Sequence, residues 1–225
     1  MTTTTDLGYP DLAGLMARMT GDEKHDPAAH STLDVVWTLY DRVLHIPSPD
    51  HPDRDRFYLS KGHGPVAYYA VLAAKGFIPI DTLDGFAGFT SPLGHHPDHR
   101  LLPGVEISSG SLGHGLALAI GATVGRVIRG VGGRSFVLMG DGELDEGSVH
   151  EAIALAGRLG LGRLTVVLVD NRSSLHGWEG GIAARFEVEG WAAEVVDGRD
   201  HDALAAALDA PHPERPKVVV AEVAR

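Results

Sequence analysis

Two short stretches carry the residue types needed for metal-assisted phosphate binding: Gly140-Asp141-Gly142-Glu143 and Asp170-Asn171-Arg172-Ser173. Each follows an apolar run, at 135–139 and 164–169, with the composition of a buried strand. If those strands are neighbours, a carboxylate and an amide oxygen meet at their ends. Magnesium favours a few hard protein oxygens, completed by ligand phosphates and water. The Asp141 and Asn171 side chains, with the Ser173 carbonyl, would supply the protein's share of such an octahedron. Gly140 and Gly142 let backbone approach a bulky anion. Gly-Asp-Gly alone fits an ordinary turn better than it fits a site, with Asn171 a plain loop residue. The buried strand before it, the helix after it and the Asn at a second strand end favour the ligand reading.

The elements that must position these groups follow from apolar periodicity and from turn and cap signals. A short helix is expected over 12–19, and 21–29 is irregular. A helix over 33–44 takes Ser31 as its N-cap. A Pro/Asp-rich loop occupies 46–56, a helix 64–75 and a second loop 90–106. Helices at 113–129, 148–159, 182–189 and 201–208 then alternate with strands at 135–139, 164–169, 193–196 and 217–223. Continuous Val/Leu strands between helices predict an α/β fold, a doubly wound parallel sheet covered on both faces. One domain over 1–225 is expected, with 1–10 a mobile tail. Ligands of such sheets sit beyond the carboxyl ends of the strands, where Asp141 and Asn171 stand.

Composition narrows the partners. The chain of 225 residues carries 19 basic and 30 acidic residues, a net charge of −11, which disfavours nucleic acid and anionic membrane. Without cysteine it has neither disulfides nor thiol chemistry. The N-terminal stretch lacks a signal pattern and no apolar run approaches the roughly 20 residues of a membrane span, so a cytoplasmic protein is expected. Thirteen histidines, each able to change charge near neutral pH, are many for this length.

Five ordered motifs resemble the transketolase family of thiamine-diphosphate enzymes: Leu59-Ser-Lys-Gly-His63-Gly, His96-Pro97-Asp98 followed by Pro103-Gly104-Val105-Glu106, Gly110-Ser111-Leu112-Gly113-His114-Gly115, Gly140-Asp-Gly-Glu-Leu-Asp-Glu146-Gly147, and Asn171. The resemblance runs in order from about His25 to Val223. It implies the thiamine-diphosphate-binding fold of the diphosphate-binding domain, with Mg2+ as the metal. It implies that His63 and His96 polarise substrate oxygens and move protons, joined by His25. Gly110, Ser111 and Leu112 would meet the cofactor, as would His63, Gly140, Asp141, Gly142, Glu143 and Asn171. Asp141, Asn171 and Ser173 would hold the metal, and Glu146 would point to the subunit interface in a proton relay. The neighbours of His25 depart from the family, with Pro27 and Ala28 where glycines are usual. His114 replaces a Gln and His150 a Trp. His201 and His212 are expected at the surface.

Such catalysis needs a second domain to bind the aminopyrimidine, and the sheet pattern occurs once. The partner implied is therefore a C-terminal, pyrimidine-binding transketolase subunit in an α2β2 heterotetramer, with the small-residue helix at 113–129 a candidate contact surface. The family's glycine-rich segment after the last strand is not present, which together with the altered His25 region suggests a specialised biosynthetic pathway. The function implied is two-carbon ketol transfer between sugar phosphates or related carbonyl compounds. The alternatives are a 2-oxoacid-decarboxylating half-subunit, or a non-catalytic cofactor-binding partner subunit.

Overall fold

A computed structural model describes residues 7–20 and 26–223. In chain order, helices α1 (Leu12–Ala17) and α2 (Asp26–Thr38) lead to strand β1 (Arg56–Leu59) and helix α3 (Pro65–Ala74). Helix α4 (Gly115–Ile128), strand β2 (Ser135–Gly140), helix α5 (Gly147–Leu159) and strand β3 (Leu164–Asp170) follow. Helix α6 (Gly181–Glu187), strand β4 (Ala192–Asp197), helix α7 (His201–Asp209) and strand β5 (Lys217–Glu222) complete the order. The strands form one sheet, β1-β2-β3-β5-β4, and every pairing in it is parallel.

Period-two alternation divides the strand side chains between two cores. Phe136, Leu138, Val167, Val169, Val219 and Ala221 face α2, α3 and α7. Val137, Met139, Val166, Leu168, Val218 and Val220 face α4, α5 and α6. With both faces covered, β2 has no polar face at all, which is why its sequence reads as an unbroken apolar run. Burying one such Val or Leu contributes about 1.5–3 kcal/mol. The expected doubly wound sheet is therefore the observed one. Among the described residues no helix is long and apolar enough to cross a membrane.

Three expectations fail locally. Residues 56–59, where the sequence assigned Arg56 to a loop, Leu59 to a motif and the two residues between to no element, form the edge strand β1, paired with β2 from Arg56 to Leu59. Four residues opening on an arginine are too few to show a period. Ser31 lies inside α2 rather than capping a later helix. The helix starts at Asp26, so Pro27 falls in the first turn, where no amide is needed. The tail expected over 1–10 does not hold for Tyr9, whose hydroxyl donates to Asp34 Oδ1 at 2.6 Å and whose ring packs edge-on to His201.

Candidate active site at the strand ends

The carboxyl ends of β2 and β3 are adjacent, with Gly140 in register with Val169. After Gly140 the chain turns into a 3₁₀ helix, Asp141–Asp145. Asp141 is 1% exposed. Its Oδ2 accepts from the Ser173 amide at 2.5 Å and the Ser174 amide at 2.9 Å, and its Oδ1 from the Ser173 hydroxyl at 2.5 Å. Asp145 continues the seam, accepting from the Ser174 hydroxyl and the Leu175 amide, each at 2.9 Å. The Leu175 amide, aided by Ser174, holds the Asp145 carboxyl below its ordinary range. Two carboxylates from one strand end thus fix the loop after the neighbouring strand. That loop includes Arg172 at φ +60°, a left-handed conformation costly for a non-glycine residue and typical of functional sites. Beside it opens a cleft of about 410 Å3 lined by Asp141, Asp170, Arg172, Ser174 and Trp178.

Glu143 is also 1% exposed, and its carboxylate is used inside the protein. Oε1 accepts from the Ser60 hydroxyl at 2.6 Å and the Gly113 amide at 3.0 Å, and Oε2 from the Gly140 amide at 3.1 Å. Burial pushes the carboxyl above its usual value, against the pull of those donors and of Lys61. Lys61, 7% exposed, donates to the Ser31 and Thr32 hydroxyls. Burial lowers its ammonium to about 8, with Asp141 and Glu143 opposing. The Glu143 carboxylate thus joins the Ser60 loop, the Gly113 turn and the end of β2.

The motif loops converge on this node. A Cβ on Gly62 would sit 3.2 Å from both the Gly110 carbonyl oxygen and Leu112, and one on Gly110 would sit 2.9 Å from the His96 ring. The loop of His63, the ring of His96 and the Gly110–Leu112 turn are therefore packed together, and Gly110, at φ +125°, has no room for a side chain. A Cβ on Gly113 would lie 2.9 Å from Cβ of Glu146, and Ser148 ties the helix α5 start to the same turn through the Gly113 carbonyl. Both His63 and His96 are exposed, as are Ser111 and Glu146. Asn171 stands half-buried one residue beyond β3. His25 lies outside the described residues. The Pro103–Glu106 stretch is anchored away from this node: Glu106 is paired with Arg54 and lies 3.7 Å from Arg56.

The remaining histidines divide by contact. His150 is held at both ring nitrogens, Arg185 Nε donating to Nδ1 at 3.2 Å and Nε2 lying 2.8 Å from the Leu144 carbonyl oxygen. His201 and His212, expected at the surface, are both held. His201 pairs with Asp34 at 2.8 Å, and His212 bridges Thr165 and the Arg215 carbonyl. Sequence reasoning missed Ser60, Lys61, Asp145, Ser174 and the 88% exposed Leu175. Ser60, Lys61 and Asp145 lie inside motifs the sequence displays, whereas Ser174 and Leu175 gave no signal.

Residues 18–224 match the family model for the transketolase thiamine diphosphate binding domain. The chain belongs to the transketolase family. It is 34% identical over 210 residues to one of the subunits of an apulose-4-phosphate transketolase from Actinobacillus succinogenes, covering 89% of this chain and 76% of that one. It is 53% identical over 224 residues to a Rhodococcoides fascians protein named ferredoxin fas2, covering 98% of this chain and 74% of that one. Among solved structures, transketolase from Leishmania mexicana superposes with a TM-score of 0.78 at 27% identity, covering 96% of this chain and 36% of that one. The chain thus spans about a third of that full-length transketolase.

The donor set fits a diphosphate held through a divalent cation. Among the described residues no group of three or more His, Cys, Asp or Glu could hold a metal. A cation at Asp141 would need ligand oxygens to complete its shell, as magnesium does with phosphates. A Cβ on Gly142 would meet only the Ser173 hydroxyl, at 3.5 Å, so backbone there is open to an anion.

Proposed function

We propose that this chain is the diphosphate-binding subunit of a two-component transketolase, transferring a two-carbon ketol unit between sugar phosphates or related carbonyl compounds. The observation that carries the reading is the buried Asp141 at one strand end, bonded to Ser173 at the next, with the His63 loop and His96 packed onto the Gly110–Leu112 turn beside it. Thiamine diphosphate, when bound, supplies the carbanion chemistry that breaks and forms the carbon–carbon bond. Asp141, Asn171 and the Ser173 carbonyl would hold Mg2+ and through it the diphosphate. Gly110, Ser111 and Leu112 would line the cofactor, and the exposed His63 and His96, with His25, would exchange protons with substrate oxygens. Replacing Asp141 with Ala should weaken Mg2+-dependent thiamine diphosphate binding by at least ~100-fold in calorimetry with the partner present. Unchanged affinity would remove Asp141 from the site.

The partner proposed is a C-terminal, pyrimidine-binding subunit, in an α2β2 cytoplasmic assembly. Helices α4 and α5 both begin at the site, after Gly113 and Glu146. They expose Leu118, Val127, Ile128, Leu155 and Leu159, and a Cβ on Gly121 or Gly125 would meet nothing within 4 Å. A second subunit closing on this face would reach Glu146 and complete the grip on the cofactor. The Actinobacillus relative, itself one of several subunits by its name, supports a divided enzyme.

A second reading is favoured by the name of the Rhodococcoides relative. This chain has no cysteine, so it cannot carry the thiolate-held cluster of a ferredoxin. A separate ferredoxin could instead take electrons from 2-oxoacid decarboxylation. In that reaction the acid and water yield a carboxylic acid, CO2, two protons and two electrons, the electrons passing singly to two ferredoxins. Anaerobic bleaching of a [2Fe–2S] ferredoxin by pyruvate, without ketol transfer from a ketose, would favour this second reading. Ketol transfer without bleaching would exclude it.

A further inference from the structure

We propose that Glu143 is a positioning residue rather than a cofactor ligand: one buried carboxylate that locks the loop of His63, the Gly110–Gly113 turn and the end of β2 into a single arrangement. The inference deepens the reading above and rests on it for the identity of the ligand those loops serve.

The three donors come from parts of the chain remote in sequence. Ser60 opens the loop that carries His63, Gly113 closes the turn that carries Gly110 and Leu112, and Gly140 precedes Asp141. All three converge on two oxygen atoms, at 2.6, 3.0 and 3.1 Å. The Ser60 hydroxyl is itself fixed from the other side, accepting from the Gly115 amide at 3.2 Å while its proton goes to the acceptor-only carboxylate of Glu143. Ser60 also sits where a Cβ on Gly115 would fall, which leaves that contact no slack. With every neighbour donating, the side chain must only accept. A carboxylate does this. A glutamine cannot, because either amide orientation would set its NH2 against the Gly113 or the Gly140 backbone N–H. Lys61, on the same loop, carries the tie onward to α2 through Ser31 and Thr32. The histidine loop, the cofactor turn and the strand end that carries Asp141 are therefore coupled through one side chain whose two oxygens both accept from the protein.

The test is amide exchange by NMR on the chain alone, comparing wild type with Glu143→Gln and Glu143→Ala. The Gly113 amide should exchange roughly tenfold faster or more in both variants, as expected for one lost charged hydrogen bond. The sheet amides of Val167 and Leu168 should be unchanged, and thiamine diphosphate with Mg2+ should bind more weakly to each variant in a parallel titration. Unchanged Gly113 exchange in folded Glu143→Gln would overturn the proposal. So would equal loss of protection at Val167 and Leu168, or failure of the glutamine variant to fold, either of which assigns Glu143 a general structural role. If only the alanine variant fails to fold, the glutamine variant decides. Weakened cofactor binding with normal Gly113 exchange would make Glu143 a direct ligand. The exchange measurement needs no cofactor, so its outcome is separate from the fate of the transketolase reading.

Discussion

Asp34 and Glu143 are both carboxylates buried between distant parts of the chain, and their surroundings differ in kind. Asp34 receives Tyr9, Arg199 and His201, at 2.6, 2.5 and 2.8 Å. Burial opposes its charge, yet the hydrogen bonds from Tyr9, His201 and Arg199 prevail and hold its carboxyl below the ordinary value. Glu143 receives one hydroxyl and two backbone amides, all neutral, and burial prevails. The first arrangement binds the N-terminal segment, α2 and the β4–α7 loop together, and its charge favours the fold. The second sits under loops that carry the exposed histidines, and ionising it costs. Both carboxylates tie distant segments together; Glu143 does so beneath the loops of the site, and Asp34, held by Tyr9, His201 and Arg199, does so away from them.

The largest expected effect lies at the exposed rim of the site. Replacing His63 or His96 with Ala should lower kcat by roughly 10²–10⁴, as for lost acid–base catalysis, with cofactor affinity little altered. Steady-state kinetics on the reconstituted enzyme would read this, and full activity in both variants would make them ordinary loop residues.

At the clamp the effect should be on stability alone. Asp34→Ala removes the acceptor for three donors, and the partly exposed Arg199 limits the loss to about 2 kcal/mol. For a chain of this size that corresponds to a drop in Tm of roughly 4–8 °C, with cofactor binding preserved. Because the folded carboxyl titrates below its unfolded value, this stabilisation is complete above about pH 4–5 and disappears as pH falls through the folded value. The gap between wild type and variant should be full at pH 7 and narrow progressively as pH falls below about 4. A gap that persists in acid would show that packing, not charge, makes the clamp.

The two regions were not equally legible in the sequence. The strands at 135–140 and 164–170 announce themselves because both faces are buried, and the Gly-Asp-Gly-Glu motif falls where such a sheet binds ligands. The meeting of Asp141 with Ser173 follows from β2 and β3 being neighbours, which the alternation of strands and helices suggests. The clamp could not be read, because Asp34 and Arg199 lie 165 residues apart and nothing local in either marks the other. That is why His201 was expected at the surface. The resemblance marks Glu143 only through its motif, and its ties to Ser60 and Gly113 could not be read because those partners come from other loops. Strand β1 escaped because Phe57, Tyr58 and Leu59 run straight into the Ser60-Lys61-Gly62-His63 motif, leaving no boundary to see.

The central claim, that this chain holds the diphosphate half of a divided active site, is tested most directly by mixing. The purified chain is assayed for ketol transfer with ketose donor, aldehyde acceptor, thiamine diphosphate and Mg2+, alone and with a C-terminal-type transketolase subunit. The account predicts no turnover from the chain alone and activity on mixing. Turnover by the lone chain at a rate matching the mixture would contradict it.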